Sequence, residues 1–537
     1  MRAWVDIKDR DIEVDNIFKV EYLADTPQGD KQIKLTHTPT VGETDVVGTP
    51  VNKGLMQEWE DAVCGLQQHT YVCTGVDDAH QINQIVNGFF AQTASRNLRL
   101  NILGEVDSGP GAGAGTEQDP LTYFKWISTS NANRLIVDWS GATLPAFPAL
   151  EKGPCTLFDL NLTKGTLEQR GISLLAALGS DGSYTTQPLF NHHSSNGITY
   201  RDCNIEISGD SRGSGAAIFS GSGEYINCSV ILTQPAPLGT SVFDLGQGHC
   251  LHVQGGSVDL RNWGGKAIRT GAGCTVHIRD WSCLSRSQEE TLPFYAKNSE
   301  INLENAVFTY EGPSASGNRV DGSTITISGG TLYARNCQIY GDEFWGHPRV
   351  RIEDGCKAQF EWFSLIVTYK GAGASPAASG ISVDSTSKLI LHDSYIRMLS
   401  VTPQHVQGAT INGILSEGEI DISGSFVSIA HDKSENWHLG AYPIYCFSSS
   451  ANTIRARIVN CELGRVNSDQ RSGTRPIYVS SVPQKVIIEH NRLRGAESPE
   501  PYVKGSPVGA GSDPECIDVE NGLTTSRVYM PAYSNSY

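Results

Sequence analysis

The sequence is poor in charged residues and contains neither a long apolar run nor a long helical pattern. Charged residues make up only 18% of the 537 residues, and stretches rich in both lysine and glutamate are missing. No uninterrupted apolar segment approaches the ~20 residues of a membrane-spanning helix, so we expect no membrane insertion. The net charge of -17 argues against nucleic-acid binding, which needs a basic surface.

Signatures of metal binding and of common catalytic sites are missing as well. The 13 cysteines include no C-x-x-C pair and no His/Cys group of zinc-like spacing. The pair His192-His193 lacks a third ligand at a suitable spacing, so we interpret it as a solvated turn. P-loop, zincin and nucleophile-elbow motifs do not occur. The sequence therefore predicts neither a metal site nor a cofactor.

The thiols are expected to be reduced and buried. The chain runs from Met1 directly into charged residues, without the apolar segment of a secretory signal. This predicts synthesis in a reducing cytoplasm, where a free cysteine behaves as a small buried apolar side chain. A ladder of disulfides between repeats is the alternative.

What the sequence does contain is a repeat centred on cysteine. Asn or Asp, then Cys, any residue and an aliphatic residue recur at Asp202–Ile205, Asn227–Val230, Asn336–Ile339 and Asn460–Leu463. Looser copies place His or Gly before Cys250, Cys274 and Cys356. The steps from Cys203 to Cys228, Cys250 and Cys274 are 25, 22 and 24 residues. Self-similarity at this interval predicts stacked units, with the cysteines at the same point of successive coils.

Between these copies the chain consists of short strand patterns. Alternating runs such as 299–303, 388–392 and 485–491 are bounded by Gly, Ser, Asn or Asp. Glycine is abundant at 56 residues, which suits many tight turns. Helical patterns of about 10–15 residues do not separate the strands. The sequence predicts an all-β chain, a parallel β-helix (β-solenoid), rather than βαβ or leucine-rich repeats.

Residues 1–68 show a different pattern and are predicted to form a small α/β module. The segments 14–22 and 31–35 alternate as strands do. Asn52 is placed to cap a helix with an apolar stripe from Leu55 to Val63. At the other end, residues 498–537 are rich in Pro and Gly and are predicted to form a tail, laid on the surface or on a partner subunit.

A second helix is predicted at 78–90, where apolar residues recur at helical spacing. Asp77 or Asp78 would cap its first turn and oppose the helix dipole. Beside the strand predicted at 98–103, this helix would cover the open end of the first coil. A catalytic pair of carboxylates at Asp77 and Asp78 is the alternative.

Residues 73–83, CTGVDDAHQIN, resemble the opening motif of pectate-lyase-like right-handed β-helix proteins, which are common as bacteriophage tailspikes and tail fibres. Thr74 stands where the family usually has Asp, His80 and Gln81 replace small residues, and Asn83 replaces Gln. The Asn-Thr-Asp, Gly-His-Gly and Arg-x-Lys signatures of polygalacturonase-like β-helices are not present. The resemblance implies a right-handed β-helix, assigned here to residues 69–497.

The segment 48–52 and the helix predicted after it resemble the N-terminal attachment regions of phage tail proteins. Together the two resemblances cover about the first hundred residues. They imply that residues 1–68 dock onto other tail or baseplate proteins. Phage fibres of this kind are commonly homotrimers, so we expect a homotrimer. We expect it to be assembled in the host cytoplasm and to be located in the virion tail.

Two loop-like segments of the β-helix carry residues suited to carbohydrate. A Trp offers a flat apolar face to a sugar ring, while carboxylates and His can bond its hydroxyl groups. The glycan-binding candidates are Trp345, His347, Trp437, His438 and Tyr442. The candidate catalytic residues are Asp342, Glu343, Asp432 and Glu435.

These segments favour a tail fibre or tailspike that recognises a host-surface glycan during adsorption, and not an enzyme. A polysaccharide depolymerase is the first alternative, since hydrolysis needs two carboxylates about 5–10 Å apart and a lyase needs a basic residue beside a uronate. A purely structural fibre or baseplate part is the second. In that case the two segments are ordinary polar loops, and their tryptophans pack against the solenoid.

Overall fold

The structure is a computed structural model. It describes residues 16–22, 33–39, 67–92, 96–107, 109–113, 121–128, 133–145, 155–178, 188–193, 197–209, 217–233, 241–261, 266–286, 293–311, 323–343, 348–369, 377–400, 410–431, 440–447, 455–466, 476–479, 485–494, 502–503 and 528–529. The predicted fold class is confirmed: one long, open, parallel sheet winds as a right-handed β-helix.

The N-terminal part contains β1 (Asn16–Tyr22), β2 (Ile33–Pro39), β3 (Gln67–Val72), the helix α1 (Asp78–Phe90), β4 (Asn97–Glu105), β5 (Leu121–Ser128), β6 (Arg134–Thr143), β7 (Cys155–Leu162), β8 (Thr166–Arg170) and β9 (Ser173–Leu178). The middle contains β10 (Phe190–His192), β11 (Ile198–Arg201), β12 (Asn204–Gly209), β13 (Ala217–Ser220), β14 (Gly223–Leu232), β15 (Ser241–Leu245), β16 (Cys250–Arg261), β17 (Lys266–Thr270), β18 (Thr275–Arg279), β19 (Ser282–Arg286), β20 (Phe294–Glu304), β21 (Val307–Tyr310) and β22 (Ile325–Arg335).

The C-terminal part contains β23 (Gln338–Glu343), β24 (Val350–Glu353), β25 (Lys357–Glu361), β26 (Ser364–Tyr369), β27 (Ala377–Val383), β28 (Lys388–His392), β29 (Tyr395–Ser400), β30 (Thr410–Ser416), β31 (Glu419–Ser423), β32 (Phe426–His431), β33 (Gly440–Cys446), β34 (Arg455–Val459), β35 (Glu462–Val466), β36 (Ile477–Val479), β37 (Lys485–Glu489), β38 (Arg492–Arg494), β39 (Tyr502–Val503) and β40 (Val528–Tyr529).

One coil of the β-helix consists of three strands. From β23 onward each strand pairs in parallel with the third strand after it, as β24 does with β27, β25 with β28 and β26 with β29. These columns of strands form the three faces of the wound sheet. We call each face a sheet: the first contains β24, the second contains β25 and the third contains β26. In β14 and β16, the second and third sheets are joined through one bent strand.

Parallel pairing in register places equivalent side chains of successive coils on top of one another. Inside the first sheet this produces a column of phenylalanines: Phe124, Phe158, Phe190, Phe219 and Phe243, with neighbouring ring centroids 4.5–5.3 Å apart. All five rings are buried. Because burial of one such side chain contributes about 1.5–3 kcal/mol, the column is a continuous source of stability along the helix axis.

The helix α1 begins and ends at the predicted residues, and its apolar face is buried. The side-chain amide of Asn83 attaches it to β5. Its Nδ2 donates to the Tyr123 carbonyl (2.9 Å), and its Oδ1 accepts from the Lys125 backbone N–H and the Trp126 indole N–H (both 3.0 Å). The helix is therefore bonded into the first coils, as expected for an element that covers their end.

The cap of α1 differs from the prediction. Asp77 has a left-handed backbone with φ of 54°, and its side chain makes no capping hydrogen bond. The cap comes instead from Asp107, just after β4, whose Oδ1 accepts from the backbone N–H of Asp78 (2.8 Å) and of Ala79 (3.4 Å). A residue 29 positions away in sequence thus replaces the local cap.

The carboxylate of Asp78 is buried and closes the loop before the helix. It accepts from the backbone N–H of Thr74 (2.8 Å) and Gly75 (2.9 Å) and from the Tyr71 hydroxyl (2.8 Å). Burial raises the pKa of Asp78, but these hydrogen bonds outweigh burial and hold the pKa below its usual value. Its oxygens are occupied by structural donors, which favours a structural role over the catalytic alternative.

The Asn/Asp-Cys repeat marks the corner between the second and third sheets. In all four copies the Asn or Asp has a left-handed backbone, with φ of 51–53°, which these residues tolerate better than most. The next residue, Cys, is buried. Its Sγ lies 3.1–3.4 Å from the carbonyl oxygen two residues earlier and donates a weak hydrogen bond. The repeat therefore encodes a turn and the side chain that fills it.

The looser cysteine copies belong to another corner, so the single column of thiols expected from the sequence is wrong. Cys228 pairs in register with Gly256, whereas Cys250 begins β16 and pairs with Thr275. Cys250 and Cys274 lie between the first and second sheets. The interval of 22 residues from Cys228 to Cys250 therefore joins two different corners and is not one coil.

The cysteines of the described residues are all free: Cys73, Cys155, Cys203, Cys228, Cys250, Cys274, Cys283, Cys337, Cys356, Cys446 and Cys461. All are buried except Cys73 and Cys250, which are partly exposed. This agrees with the expectation of reduced thiols, and the described part of the chain contains no disulfide ladder.

At the N-terminus, β1 and β2 form an antiparallel sheet of their own, in agreement with the strands predicted there. The helix predicted after Asn52 lies outside the described residues. The first strand of the long sheet, β3, begins at Gln67. At the other end, β39 and β40 pair with β36 and β37, so two short segments of the range predicted as a tail continue the coil stack.

Candidate functional site

The two loop segments predicted to bind glycan follow strands of the same sheet. Outside the described residues lie Trp345, His347, Asp432, Glu435, Trp437 and His438, and only the backbone of Glu343 is described. The preceding strands, β23 and β32, are both in the third sheet, three coils apart. At about 4.8 Å per coil, their separation is about 14 Å.

Asp342, at the end of β23, lies near a buried arginine. The Arg349 guanidinium is buried, and its Cζ lies 4.6 Å from the ring centroid of Tyr310. Burial lowers the pKa of Arg349 to about 10, while Tyr310 and the negative charge of Asp342 act in the opposite direction. This electrostatic interaction favours Asp342 as a structural counter-charge for Arg349.

Tyr442 is the predicted glycan-binding residue whose side chain the structure describes. It belongs to an aromatic cluster on the first sheet, with ring centroids 5.2 Å from Tyr445 and 4.8 Å from Tyr478. Phe447 lies 5.5 Å from Tyr445. All four residues are half-buried, so the cluster is partly exposed to solvent and each ring also packs on a neighbour.

An exposed tryptophan that sequence reasoning missed stands at the corner between the second and third sheets. Trp362 is 53% exposed and has φ of 50°. Its left-handed equivalents in other coils are Gly171, Asp202, Asn227, Gly255, Asp280, Asn305, Asn336, Asp393, Gly424, Asn460 and His490. Small or polar turn residues suit this conformation, whereas a bulky side chain is an outlier there. Trp362 is thus both strained and exposed.

Arg335 covers part of the Trp362 indole. Its Cζ lies 4.7 Å from the ring centroid, and it comes from the preceding coil, where it pairs in register with Glu361. Arg335 and Trp362 are both exposed. The contact fixes the orientation of the indole and leaves more than half of the tryptophan surface in solvent.

Polar side chains fixed by one another lie on the same two coils of the second sheet as Arg335 and Glu361, which precedes Trp362. The Glu361 carboxylate accepts from the Tyr333 hydroxyl (2.9 Å) and from the Gln359 amide (2.7 Å). The hydrogen bonds from Tyr333 and Gln359 lower the pKa of Glu361, so the carboxylate is ionised at neutral pH. We name Trp362, Arg335, Tyr333, Gln359 and Glu361 the Trp362 platform. It combines an apolar face with hydrogen-bonding groups of both kinds.

The His192-His193 pair is not the solvated turn that the sequence predicted. His192 is buried, with Nδ1 3.0 Å from the Ser222 carbonyl oxygen and Nε2 2.9 Å from the Tyr200 hydroxyl. Because the carbonyl only accepts, Nδ1 carries the proton and Tyr200 donates to Nε2. Burial lowers the pKa of His192 to about 4. His193 is half-exposed and pairs with Asp159 at 2.6 Å.

Comparison of the chain with protein-family models, with curated proteins and with solved structures gave no match. In the ranges that the structure describes, no group of three or more His, Cys, Asp or Glu residues is placed to hold a metal. No helix in those ranges is long and apolar enough to cross a membrane. A functional interpretation therefore depends on the surface chemistry of this chain.

Proposed function

We propose that the protein is a bacteriophage tail fibre or tailspike whose β-helix binds a host-surface glycan at the Trp362 platform. The observation that carries this proposal is Trp362 itself, an exposed aromatic residue kept in a left-handed backbone conformation. Strain at one residue of an otherwise regular row is a reason to look for function. The resemblance of residues 73–83 to phage β-helix proteins supports the virion assignment.

The platform has the chemistry that sugar recognition requires. The apolar C–H face of a pyranose ring can pack on the indole, and the Glu361 carboxylate and Gln359 amide can bond its hydroxyl groups. Arg335, which lies over one face of the indole, adds N–H donors beside it. These side chains stand on a rigid sheet and hold one another in place, so little conformational entropy is lost on binding.

The separate sheet of β1 and β2 supports the second part of the proposal. A hairpin that pairs with itself and not with the long sheet suits an attachment module in residues 1–68, which would dock on tail or baseplate proteins. A homotrimer is proposed for the whole chain, and sedimentation equilibrium of the purified protein tests it. A chain starting at Gln68 should keep its β-rich circular dichroism and lose incorporation into virions.

Glycan binding is tested by an array of bacterial surface glycans probed with the wild-type protein and with Trp362→Asn. The variant should bind the recognised glycan about 5–30-fold more weakly, the equivalent of roughly 1–2 kcal/mol for a lost aromatic stacking partner. Asp280→Asn is the matched control, because it changes the equivalent corner three coils away from the indole, and it should bind as the wild type does.

Unchanged binding by Trp362→Asn would remove the platform from the proposal. Tyr445→Ala then tests the aromatic cluster that contains Tyr442. The same glycans, incubated with the wild-type protein and examined for new reducing or unsaturated ends, test the depolymerase alternative. Their release would show an enzyme, and absence of binding to every glycan would favour a structural fibre.

A further inference from the structure

Three arginines from three successive coils surround one buried carboxylate on the second sheet. The Oε1 of Glu168 accepts the Nε–H of Arg170 at 2.7 Å and the Nε–H of Arg201 at 2.9 Å. Its Oε2 lies 3.7 Å from a terminal nitrogen of Arg134. The Glu168 side chain is only 11% exposed, whereas those of Arg201 and Arg134 are 36% and 43% exposed. The carboxylate thus lies beneath the guanidinium groups.

The cluster carries more positive than negative charge. Burial raises the pKa of Glu168, but the hydrogen bonds from Arg170 and Arg201 outweigh burial and hold it below its usual value. One carboxylate therefore faces three guanidinium groups. The neighbouring pair of Arg99 and Asp138, 2.8 Å apart, is neutral. A local positive excess in a chain with a net charge of -17 is unexpected for a structural ion pair alone.

Two further acids lie near this face, and each has its own hydrogen-bond donor. Glu224, on the coil after Arg201, accepts from the Thr199 hydroxyl at 2.9 Å, and Asp202, beside Arg201 at the corner, accepts from the Asn227 side-chain amide at 3.2 Å. In the described ranges neither carboxylate lies within ion-pair distance of the three arginines.

The arginines are fixed in an orientation that suits an oxyanion. Arg170 and Arg201 are register partners on adjacent coils, about 4.8 Å apart at the backbone. Both use Nε to bind Glu168, so their terminal amino groups remain, and these donate to no other residue in the ranges described here. Two guanidinium groups held side by side can donate several N–H bonds to one phosphate, sulfate or carboxylate.

We propose that Arg170 and Arg201, assisted by Arg134, form an anion-binding site for an oxyanion group on a ligand. The site lies in the same sheet as the Trp362 platform, and six coils separate Arg201 from Glu361, about 29 Å along the stack. The identity of the natural ligand rests on the proposed function, under which it is a glycan with acidic substituents. The anion site itself does not depend on that function.

The test uses the full chain and three labelled hexasaccharides, one sulfated, one made of uronic acids and one neutral, followed by fluorescence anisotropy at low salt. At least one acidic probe should bind, and inorganic phosphate should compete with it. Arg170→Ala and Arg201→Ala should weaken binding by about tenfold or more. Arg201→Lys keeps the charge but loses the Nε bond and the planar fork, so it should weaken binding nearly as much.

Arg279→Ala is the matched control. Arg279 is exposed on the same sheet but has its own acidic partners, Asp280 at 3.3 Å and Glu304 at 3.8 Å, so binding should not change. An equal loss in Arg279→Ala, or wild-type binding by Arg201→Lys, would show diffuse attraction and overturn the site. Failure of all acidic probes to bind would also overturn it.

Folding defects are separated from lost binding by a second variant. If Arg201→Ala melts early because Glu168 loses a partner, the double variant Glu168→Gln/Arg201→Ala removes the unpaired carboxylate, and it should fold and still bind weakly. Trp362→Asn should retain anion binding while losing the glycan bound by the platform. The two sites can therefore fail independently, and a loss at one does not count against the other.

Discussion

The guanidinium carbon of Arg335 lies 4.7 Å from the ring centroid of Trp362 on the neighbouring coil. A cation–π contact at an exposed site contributes about 0.5–1 kcal/mol. A bulky residue held in a left-handed conformation costs about 1–3 kcal/mol. The contact therefore does not offset the strain, and the presence of Trp362 at this corner needs a reason other than stability.

Trp362→Asn is expected to stabilise the protein by about 1 kcal/mol, because Asn adopts the left-handed conformation more readily than Trp. The preceding coils already have Asn there, and the side-chain Nδ2 of Asn336 donates to the side-chain Oδ1 of Asn305 at 2.8 Å. An Asn at 362 can extend this ladder. The midpoint of urea unfolding should rise. A fall equivalent to more than about 1 kcal/mol would mean that the indole is a packing residue.

The fold could be predicted from the sequence because its signal is repeated. Each coil turns at a left-handed residue, which in most coils is followed by a buried side chain, and Asn-Cys meets both needs. The predicted period is wrong where it aligns Cys250 with Cys228, since Gly248, two residues before Cys250, forms a left-handed corner just as Asn227 does before Cys228. Sequence spacing alone does not show which of the three corners a turn residue occupies.

The candidate site was less predictable because its members come from different coils. Arg335 and Trp362 are far apart in sequence, and only strand register places them together. One signal was present: Trp362-Phe363-Ser364-Leu365 occupies the repeat position of Asn336-Cys337-Gln338-Ile339. Alignment of the repeats by coil would have shown a Trp at a turn position. The two loop segments stand out by their composition, whereas this corner stands out only once the coils are aligned.

Replacement of Cys337 by Ser or Ala should change the free energy of unfolding by less than about 1 kcal/mol, whereas Cys337→Asp should cost several kcal/mol because it buries a charge. Ser394 and Ser425 already occupy this corner in later coils, and their hydroxyls donate to the carbonyl two residues earlier, at 2.6 and 2.9 Å. Ala306 occupies it in an earlier coil and is buried. Chemical denaturation of the three variants checks this order.

Thiol alkylation in the folded protein gives an independent check on the same corner. Cys250 is partly exposed and should react first. Cys73 is also partly exposed, but burial and the negative charges of Asp78 and Asp107 raise its pKa to about 11, so it should react more slowly. Cys203, Cys274 and Cys337 are buried and should react only after unfolding. Burial raises the pKa of Cys337 to about 11, which also disfavours the reactive thiolate. Rapid labelling of these three cysteines at neutral pH would contradict the coil packing.

Asp107→Ala should destabilise the N-terminal coils by about 1 kcal/mol, the usual cost of a lost helix cap, because the Asp107 carboxylate accepts from the first two N–H groups of α1. Asp77→Asn should have no effect on stability, since Asp77 makes no capping hydrogen bond and Asn tolerates the left-handed conformation. Hydrogen exchange of the α1 amides measures the local effect. An equal loss of α1 amide protection in both variants would show that Asp77 also caps the helix.

The last prediction concerns acid. Burial lowers the pKa of His192 from 6.5 to about 4, so between these values the unfolded chain binds a proton that the folded chain does not. The contribution of His192 to stability is therefore complete above pH 6.5 and is lost as the pH falls from about 6.5 to about 4. The shift corresponds to about 3 kcal/mol. Urea unfolding midpoints at pH 7.5, 6.5, 5.5 and 5.0 should decrease over this range.

His192→Gln isolates this contribution, because an amide can donate to the Ser222 carbonyl and accept from the Tyr200 hydroxyl but does not titrate. The variant should be less stable at pH 7.5 and lose less stability on acidification to pH 5.0. The hydrogen bond to Asp159 raises the pKa of His193, so the contribution of His193 to stability is lost as the pH rises, opposite in sign to that of His192. Because both proteins contain His193, this contribution cancels when their pH profiles are compared. Parallel pH profiles for the two proteins would place the acid sensitivity elsewhere and show that His192 is not the buried neutral donor described here.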